Sequence, residues 1–170
     1  MYKLPQRKHP RMKTYDYTHG WYFVTLCTEG RKHILGTVRP AEPCVGRGDL
    51  TPPLVALSST GRVVERYLLG IADVYENVDL DDFVIMPNHV HLVVSIEHGG
   101  GGGVRSPRPT SLPTIIRSFK RMVTRQLGVS IWQTSYYEHV IRNEADYLRI
   151  RQYMADNPAY WAEDEYYQES

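Results

Sequence analysis

Aromatic and β-branched residues crowd the stretch Trp21-Tyr22-Phe23-Val24-Thr25-Leu26-Cys27-Thr28, and that density predicts a central strand. Gly30-Arg31-Lys32 then turns the chain, and Ile34 to Val38 and Leu54 to Leu57 predict two short strands around a Pro/Gly-rich excursion over 39–53. The period changes after Ser58 and Ser59, either of which can cap a helix. Val63, Val64, Tyr67, Leu68, Ile71, Val74 and Tyr75 recur at the three-to-four spacing of one buried helical face. Val78 to Ile85 returns to strand character, Met86-Pro87-Asn88 reads as a tight turn, and a further strand runs from His89 to about Ile96. A second helix is expected from about Ser111 to Leu127, with Leu112, Ile115, Ile116, Phe119, Met122 and Val123 inward. Ile131 to Val140 is a last extended segment. Asn143 is a plausible N-cap, with Asp146 in the capping-box position, for a final helix over about 143–157 that Pro158 stops.

Strands and helices in this mixture imply an α+β domain with an antiparallel sheet and helices packed over it. The 170 residues fit a single domain, 1–170. A basic arm occupies 1–14, and the segment 97–110, with five consecutive glycines, has the composition of a flexible linker.

The strand pattern holds the most informative chemistry. Side chains alternate along a strand, so His89 and His91 project to one side while Val90, Leu92 and Val94 project to the other. Positions two apart on one strand face are roughly 6.5 to 7 Å apart at the backbone, close enough for two imidazoles to reach one metal ion. The pair is expected on an open face, leaving the valine–leucine face free to pack. Most His-X-His triplets bind nothing, so the surrounding hairpin carries the weight of the reading.

Net charge is only +1, and the distribution matters more than the sum. Lys3, Arg7, Lys8, Arg11 and Lys13 stand in the first 14 residues with no acid among them. Arg117, Lys120, Arg121 and Arg125 line one side of the second helix, and Glu163, Asp164, Glu165 and Glu169 make the last segment acidic. Clustered bases of this kind contact phosphates, and Lys8, Arg11 and the four helix residues are the candidates for DNA. Tyrosine is the compositional oddity, with 13 copies. Such rings serve amphipathic packing and, on single-stranded nucleic acid, stack on bases. Cys27 and Cys44 match no zinc or redox spacing. No apolar run is long enough to span a bilayer, so the expected location is cytoplasmic, associated with the nucleoid when bound to DNA.

The run from Asp81 to Val94 resembles the "HUH" segment (histidine, hydrophobic, histidine) of single-tyrosine, single-strand DNA transposases, most closely the REP-associated tyrosine transposases. Tyr15-Asp16-Tyr17 with Trp21 to Thr25, Trp132 to Asn143, and Ile150 to Pro158 extend the likeness over nearly the whole chain, in the right order. This resemblance implies a ferredoxin-like or RRM-like sheet and a metal-dependent transesterase that cleaves and rejoins single-stranded DNA. It implies Tyr153 as nucleophile, forming a 5′-phosphotyrosine link, with Tyr136 and Tyr137 as fallback candidates. His89 and His91 would hold Mg²⁺ or Mn²⁺, and Arg149 or Arg151 would ease ionisation of the phenol. Related transposases commonly carry Gln four residues after the tyrosine. Here that position is Asn157, one methylene shorter, which either completes the metal shell or merely ends the helix.

The implied partner is single-stranded DNA that forms hairpins, and the chain would act as a monomer or a homodimer. The competing reading is a non-catalytic single-stranded nucleic-acid binder of the same fold, although the aromatic motif of true RRM domains is missing. A hydrolase acting on small phosphate esters would need a further His/Asp cluster that the sequence does not display.

Overall fold

The computed structural model describes residues 15–39, 54–97 and 110–167. The basic arm 1–14, the excursion over 40–53 and nearly all of the glycine-rich linker lie outside these residues, as do Lys8 and Arg11. In chain order the elements are β1 (Gly20–Cys27), β2 (Gly36–Arg39), β3 (Leu54–Leu57), α1 (Ser59–Leu69), α2 (Ile71–Val74), β4 (Val78–Ile85), β5 (His89–Ile96), α3 (Leu112–Leu127), β6 (Tyr137–Ile141) and α4 (Glu144–Asp156). The main sheet has the order β4-β5-β1-β6 with every neighbour antiparallel. Stripped of the small β2–β3 ribbon, the succession is strand, helix, two strands, helix, strand: the ferredoxin-like plan expected from the sequence.

Two layers of helix enclose this sheet. Tyr22, Val24 and Leu26 of β1 and Val90, Leu92 and Val94 of β5 form the main core with Val64 and Leu68 of α1 and Ile115, Ile116, Phe119 and Val123 of α3. The alternate residues Phe23 and Val93 pack instead against Ile150, Tyr153 and Met154 of α4. β5 is therefore buried along all of its length. A strand covered on both faces is normally apolar throughout; this one keeps histidines on its α4 side. The open face expected for the histidine pair does not exist, because α4 and the segment after it cover it.

The caps follow the sequence. Ser58 caps α1 by accepting the Gly61 N–H, and Asn143 caps α4 by accepting the Asp146 N–H. The long helix expected through Tyr75 breaks at Gly70, so Val74 turns outward and is 68% exposed. The extended segment after Ile131 is also shorter than expected: Trp132 makes an isolated bridge to Thr28, and regular pairing begins only at Tyr137.

Gly61 fixes how closely α1 approaches the ribbon, since a Cβ there would meet the Leu35 carbonyl oxygen at 2.0 Å. Backbone cannot yield as a side-chain tip can. Gly61→Ala should lower stability by about 2–3 kcal/mol, the range of a tight overpacking substitution, read as the shift in urea-unfolding free energy.

Candidate functional site

Burial of β5 on both faces leaves His89 and His91 with no exposed surface. A buried imidazole needs partners for its nitrogens. Cross-strand register puts Thr25 of β1 opposite His91, and the Thr25 hydroxyl lies 2.8 Å from His91 Nδ1. Asn88, the last residue of the β4–β5 turn, holds His89 through its Oδ1, 2.8 Å from Nδ1. The Asn88 amide nitrogen is spent on the carbonyls of Arg31 (3.2 Å) and Tyr166 (2.7 Å), so its oxygen must face the ring. An amide oxygen only accepts, which places the His89 proton on Nδ1 and leaves a lone pair on Nε2.

Among the described residues that Nε2 is buried without a hydrogen-bond partner, and so is Asn157 Oδ1. Beside them lies the Asp164 carboxylate, brought in by the turns that follow α4. Its Oδ2 accepts the Asn157 amide N–H at 2.7 Å, and its Oδ1 accepts the Tyr166 backbone N–H at 2.7 Å. One ligand atom each from His89, His91 and Asp164 falls within 4.8 Å of the others. Two lone-pair nitrogens, a carboxylate and an orphaned amide oxygen are a donor set that can hold a divalent cation.

Tyr153 completes the geometry, with its hydroxyl 3.3 Å from His91 Nε2. Its ring packs edge-on against Phe23 and His91. The residue is only 7% exposed and belongs to the apolar stripe of α4. Tyr166 lies over the histidines, its ring centroid 4.8 Å from that of His89 and 5.9 Å from that of His91. The Arg31 guanidinium sits 5.0 Å above the Tyr166 ring and donates to the Glu165 carbonyl. Arg31 itself adopts φ of 52°, an unusual conformation for a residue other than glycine, at the point where the 3₁₀ turn meets Asn88 and the 164–166 segment.

Desolvation sets the electrostatics. Burial lowers His91 to about 3, and burial together with the neighbouring His91 lowers His89 well below the usual histidine value, opposed by the nearby Asn157 amide. Both rings are thus neutral, as metal ligation requires. Burial, followed by the Asp164 and Glu165 charges, pushes the Tyr153 phenol up. Asp164 is raised by burial, against the two hydrogen bonds that favour its carboxylate. Cys27, opposite His89 in the register, is pushed up to about 11 by burial.

The structure thus brings together Tyr153, His89, His91 and Asn157. Asn157 touches the Asp164 carboxylate through its nitrogen, and its oxygen is the atom left for other use. Asp164, Asn88 and Thr25 were missed: the first reads as one acid in an acidic segment, and the other two as turn and strand residues. The basic face of α3 lies on the opposite layer from the site. Arg117, Arg121 and Arg125 are exposed there, whereas Lys120 donates to the carbonyls of Gln133 (2.7 Å) and Ser135 (3.2 Å). Arg149 pairs with Asp146 and Arg151 with Asp82, on the outer side of α4.

No protein-family model matches the chain. An uncharacterised protein of Haemophilus influenzae is 31% identical over 182 residues, covering 96% of this chain and 94% of the other. The two belong to one family. A REP-associated tyrosine transposase of Escherichia coli is 27% identical over 81 residues, 47% of this chain and 44% of that protein. A solved structure of a REP-associated tyrosine transposase bound to a REP hairpin superposes with a TM-score of 0.60, covering 89% of this chain and 73% of that one at 18% identity. This chain is similar in sequence and fold to the REP-associated tyrosine transposases. The likeness to these transposases includes the α+β fold with its four-stranded antiparallel sheet, and the histidine pair of the HUH type stands on the central strand. Among the described residues, no helix is long and apolar enough to cross a membrane.

Two outcomes follow from the buried histidines. With the folded pKa depressed, the unfolded chain binds more protons below about pH 6.5, so in chelator the stability is full above that pH and is lost as pH falls toward 3. The slope should approach about 1.4 kcal/mol per pH unit for each histidine, and His91→Gln should remove one proton's worth of it in urea titrations at stepped pH. Asn88→Ala releases the tautomer of His89 and the Tyr166 carbonyl together. Mn²⁺ affinity measured by calorimetry should fall about 10–100-fold.

Proposed function

We propose that the protein is a metal-dependent single-strand DNA transesterase, a transposase or a hairpin-processing endonuclease, with Tyr153 as nucleophile. The observation that carries this reading is the Tyr153 hydroxyl at 3.3 Å from His91 Nε2, beside the His89, His91 and Asp164 ligand atoms. A nucleophile and a cation site that share one buried wall suit phosphoryl transfer, where positioning and charge neutralisation do most of the work.

Tyr153 Oη attacks a backbone phosphorus of the strand, and the bond from phosphorus to the 3′ oxygen breaks. The phenol loses its proton and the departing 3′ oxygen gains one, leaving a 5′-phosphotyrosine and a free 3′-hydroxyl. One phosphoester replaces another, so rejoining needs no ATP. His89, His91 and Asp164 would hold the cation, which when bound would polarise the phosphate and neutralise charge developing on its oxygens. Asn157 orients Asp164 through its amide nitrogen. Two imidazoles and a carboxylate favour Mn²⁺ over Mg²⁺, which prefers an all-oxygen shell. The substrate is single-stranded DNA beside a hairpin. That reading draws on the solved structure of a REP-associated tyrosine transposase bound to a REP hairpin and on the Arg117, Arg121 and Arg125 face of α3, with Lys8 and Arg11 as further phosphate contacts.

One observation favours the rival, a DNA binder without catalysis: the phenol is buried and pushed up, far from ready ionisation. Covalent trapping separates the two. With labelled hairpin DNA and Mn²⁺, the wild type should give a denaturation-resistant adduct. Tyr153→Phe and His91→Ala should give none, while Tyr153→Phe keeps hairpin affinity within about threefold, since it removes no phosphate-binding cation. Cleavage by Tyr153→Phe at the wild-type rate would refute the assignment.

A further inference from the structure

At the far end of the β1–α4 layer, away from the histidines, lies an open recess of about 370 Å³ lined by Trp21, Ile141, Arg142, Asn143, Glu144 and Tyr147. Trp21 is on the same side of β1 as Phe23 and Thr25, and Thr25 bonds His91, so recess and site share one face of the sheet. Along α4 the distance from Glu144 to Tyr153 is about 13 Å at 1.5 Å per residue. A few nucleotides of a single strand span that interval.

The lining is built for a flat, polar-edged ring. Trp21 is 40% exposed although it is the largest side chain type. Its indole meets the Tyr147 ring edge-on, with centroids 5.6 Å apart and planes at 79°, which leaves an aromatic surface to the recess. Tyr147 is held rigid: its hydroxyl donates to the Asp81 carboxylate at 2.9 Å and accepts from Arg151 at 3.3 Å. The rim is polar. Arg142 is exposed and makes no ion pair among the described residues, Glu144 is exposed, and Asn143 uses only its Oδ1 as helix cap, keeping its amide hydrogens. A cation for a phosphate, a carboxylate that accepts from an exocyclic amine and an amide that donates to ring acceptors match the edges of a base. The volume is within the range of small-ligand sites.

We propose that this recess is a subsite for one unpaired nucleobase of the strand whose phosphate reaches Tyr153, with Trp21 as the stacking platform and Arg142 on the adjoining phosphate. The inference rests on the single-strand DNA reading above and adds a contact that selects where along the strand the phosphate is presented.

The test is an abasic scan. Hairpin oligonucleotides with a single-stranded flank, each missing one base of that flank in turn, are titrated with the full chain by fluorescence anisotropy. The wild type should lose about tenfold in affinity at one flank position, within the range for a single base–aromatic stack. Trp21→Ala should bind the intact flank about tenfold more weakly and show no further loss at that position, and Trp21→Phe should restore most of the dip. Arg142→Ala, exposed and safe for folding, should weaken every oligonucleotide alike and reduce the salt slope by about one. A dip that persists in Trp21→Ala, or a flat wild-type profile with tight binding, overturns the subsite alone. Wild-type protein that binds hairpins with and without the flank equally, or neither, overturns the single-strand reading together with it.

Discussion

Two imidazoles stand on a central strand from which water is excluded on both sides, and the arrangement around them follows from that. A buried polar group without a hydrogen bond costs free energy on the scale of the stability of a whole domain's margin. The rings therefore remain neutral and each must find a partner for its outer nitrogen. Thr25 comes from the neighbouring strand and Asn88 from the turn. To hold its oxygen toward His89, Asn88 needs acceptors for its amide hydrogens, and these are carbonyls of Arg31 and Tyr166. One requirement at the ring thus ties together the 3₁₀ turn after β1, the β4–β5 turn and the segment beyond α4.

Most of the fold was legible because strands and helices write their periods into sequence. β1, β4, β5 and α3 lie within a residue or two of where alternation and capping place them, the cap at Asn143 is the one expected, and Ser58 is one of the two serines that could cap α1. The apolar side of β5 was equally readable. Its other side was not, since what covers it is α4, whose inward face mixes Tyr147, Ile150, Tyr153 and Met154 with outward Arg149, Arg151 and Gln152 in a weak stripe. A helix that buries a reactive phenol has a poorer pattern than one that buries only hydrocarbon. Asp164 was invisible for a different reason: it follows α4 in irregular structure, where no period marks the inward positions, and its neighbours are acids.

The departure at position 157 also has a structural answer. An amide at the helix end, one methylene shorter than the glutamine of related transposases, donates to the Asp164 carboxylate and leaves its oxygen in the same buried space. Asp164 brings a carboxylate oxygen into that same space, and the Asn157 amide positions it. Hydrogen bonds from the Tyr166 N–H and Asn157 favour its carboxylate form, against the burial that pushes the group up.

The contact between Asn88 and Tyr166 joins residues 78 positions apart, with β5, α3, β6 and α4 between them. The segment after α4 thus returns to the turn that opens the histidine strand. The main core closes through β1, β5, α1 and α3, and α4 docks on Phe23 and Val93 without any buried hydrophobic residue after Met154 among those described. None of this packing uses the Asp164 carboxylate or the Tyr166 carbonyl that fixes the Asn88 amide. The elements that close the main core therefore all precede, along the chain, the two turns that bring Asp164 and Tyr166 to the histidines.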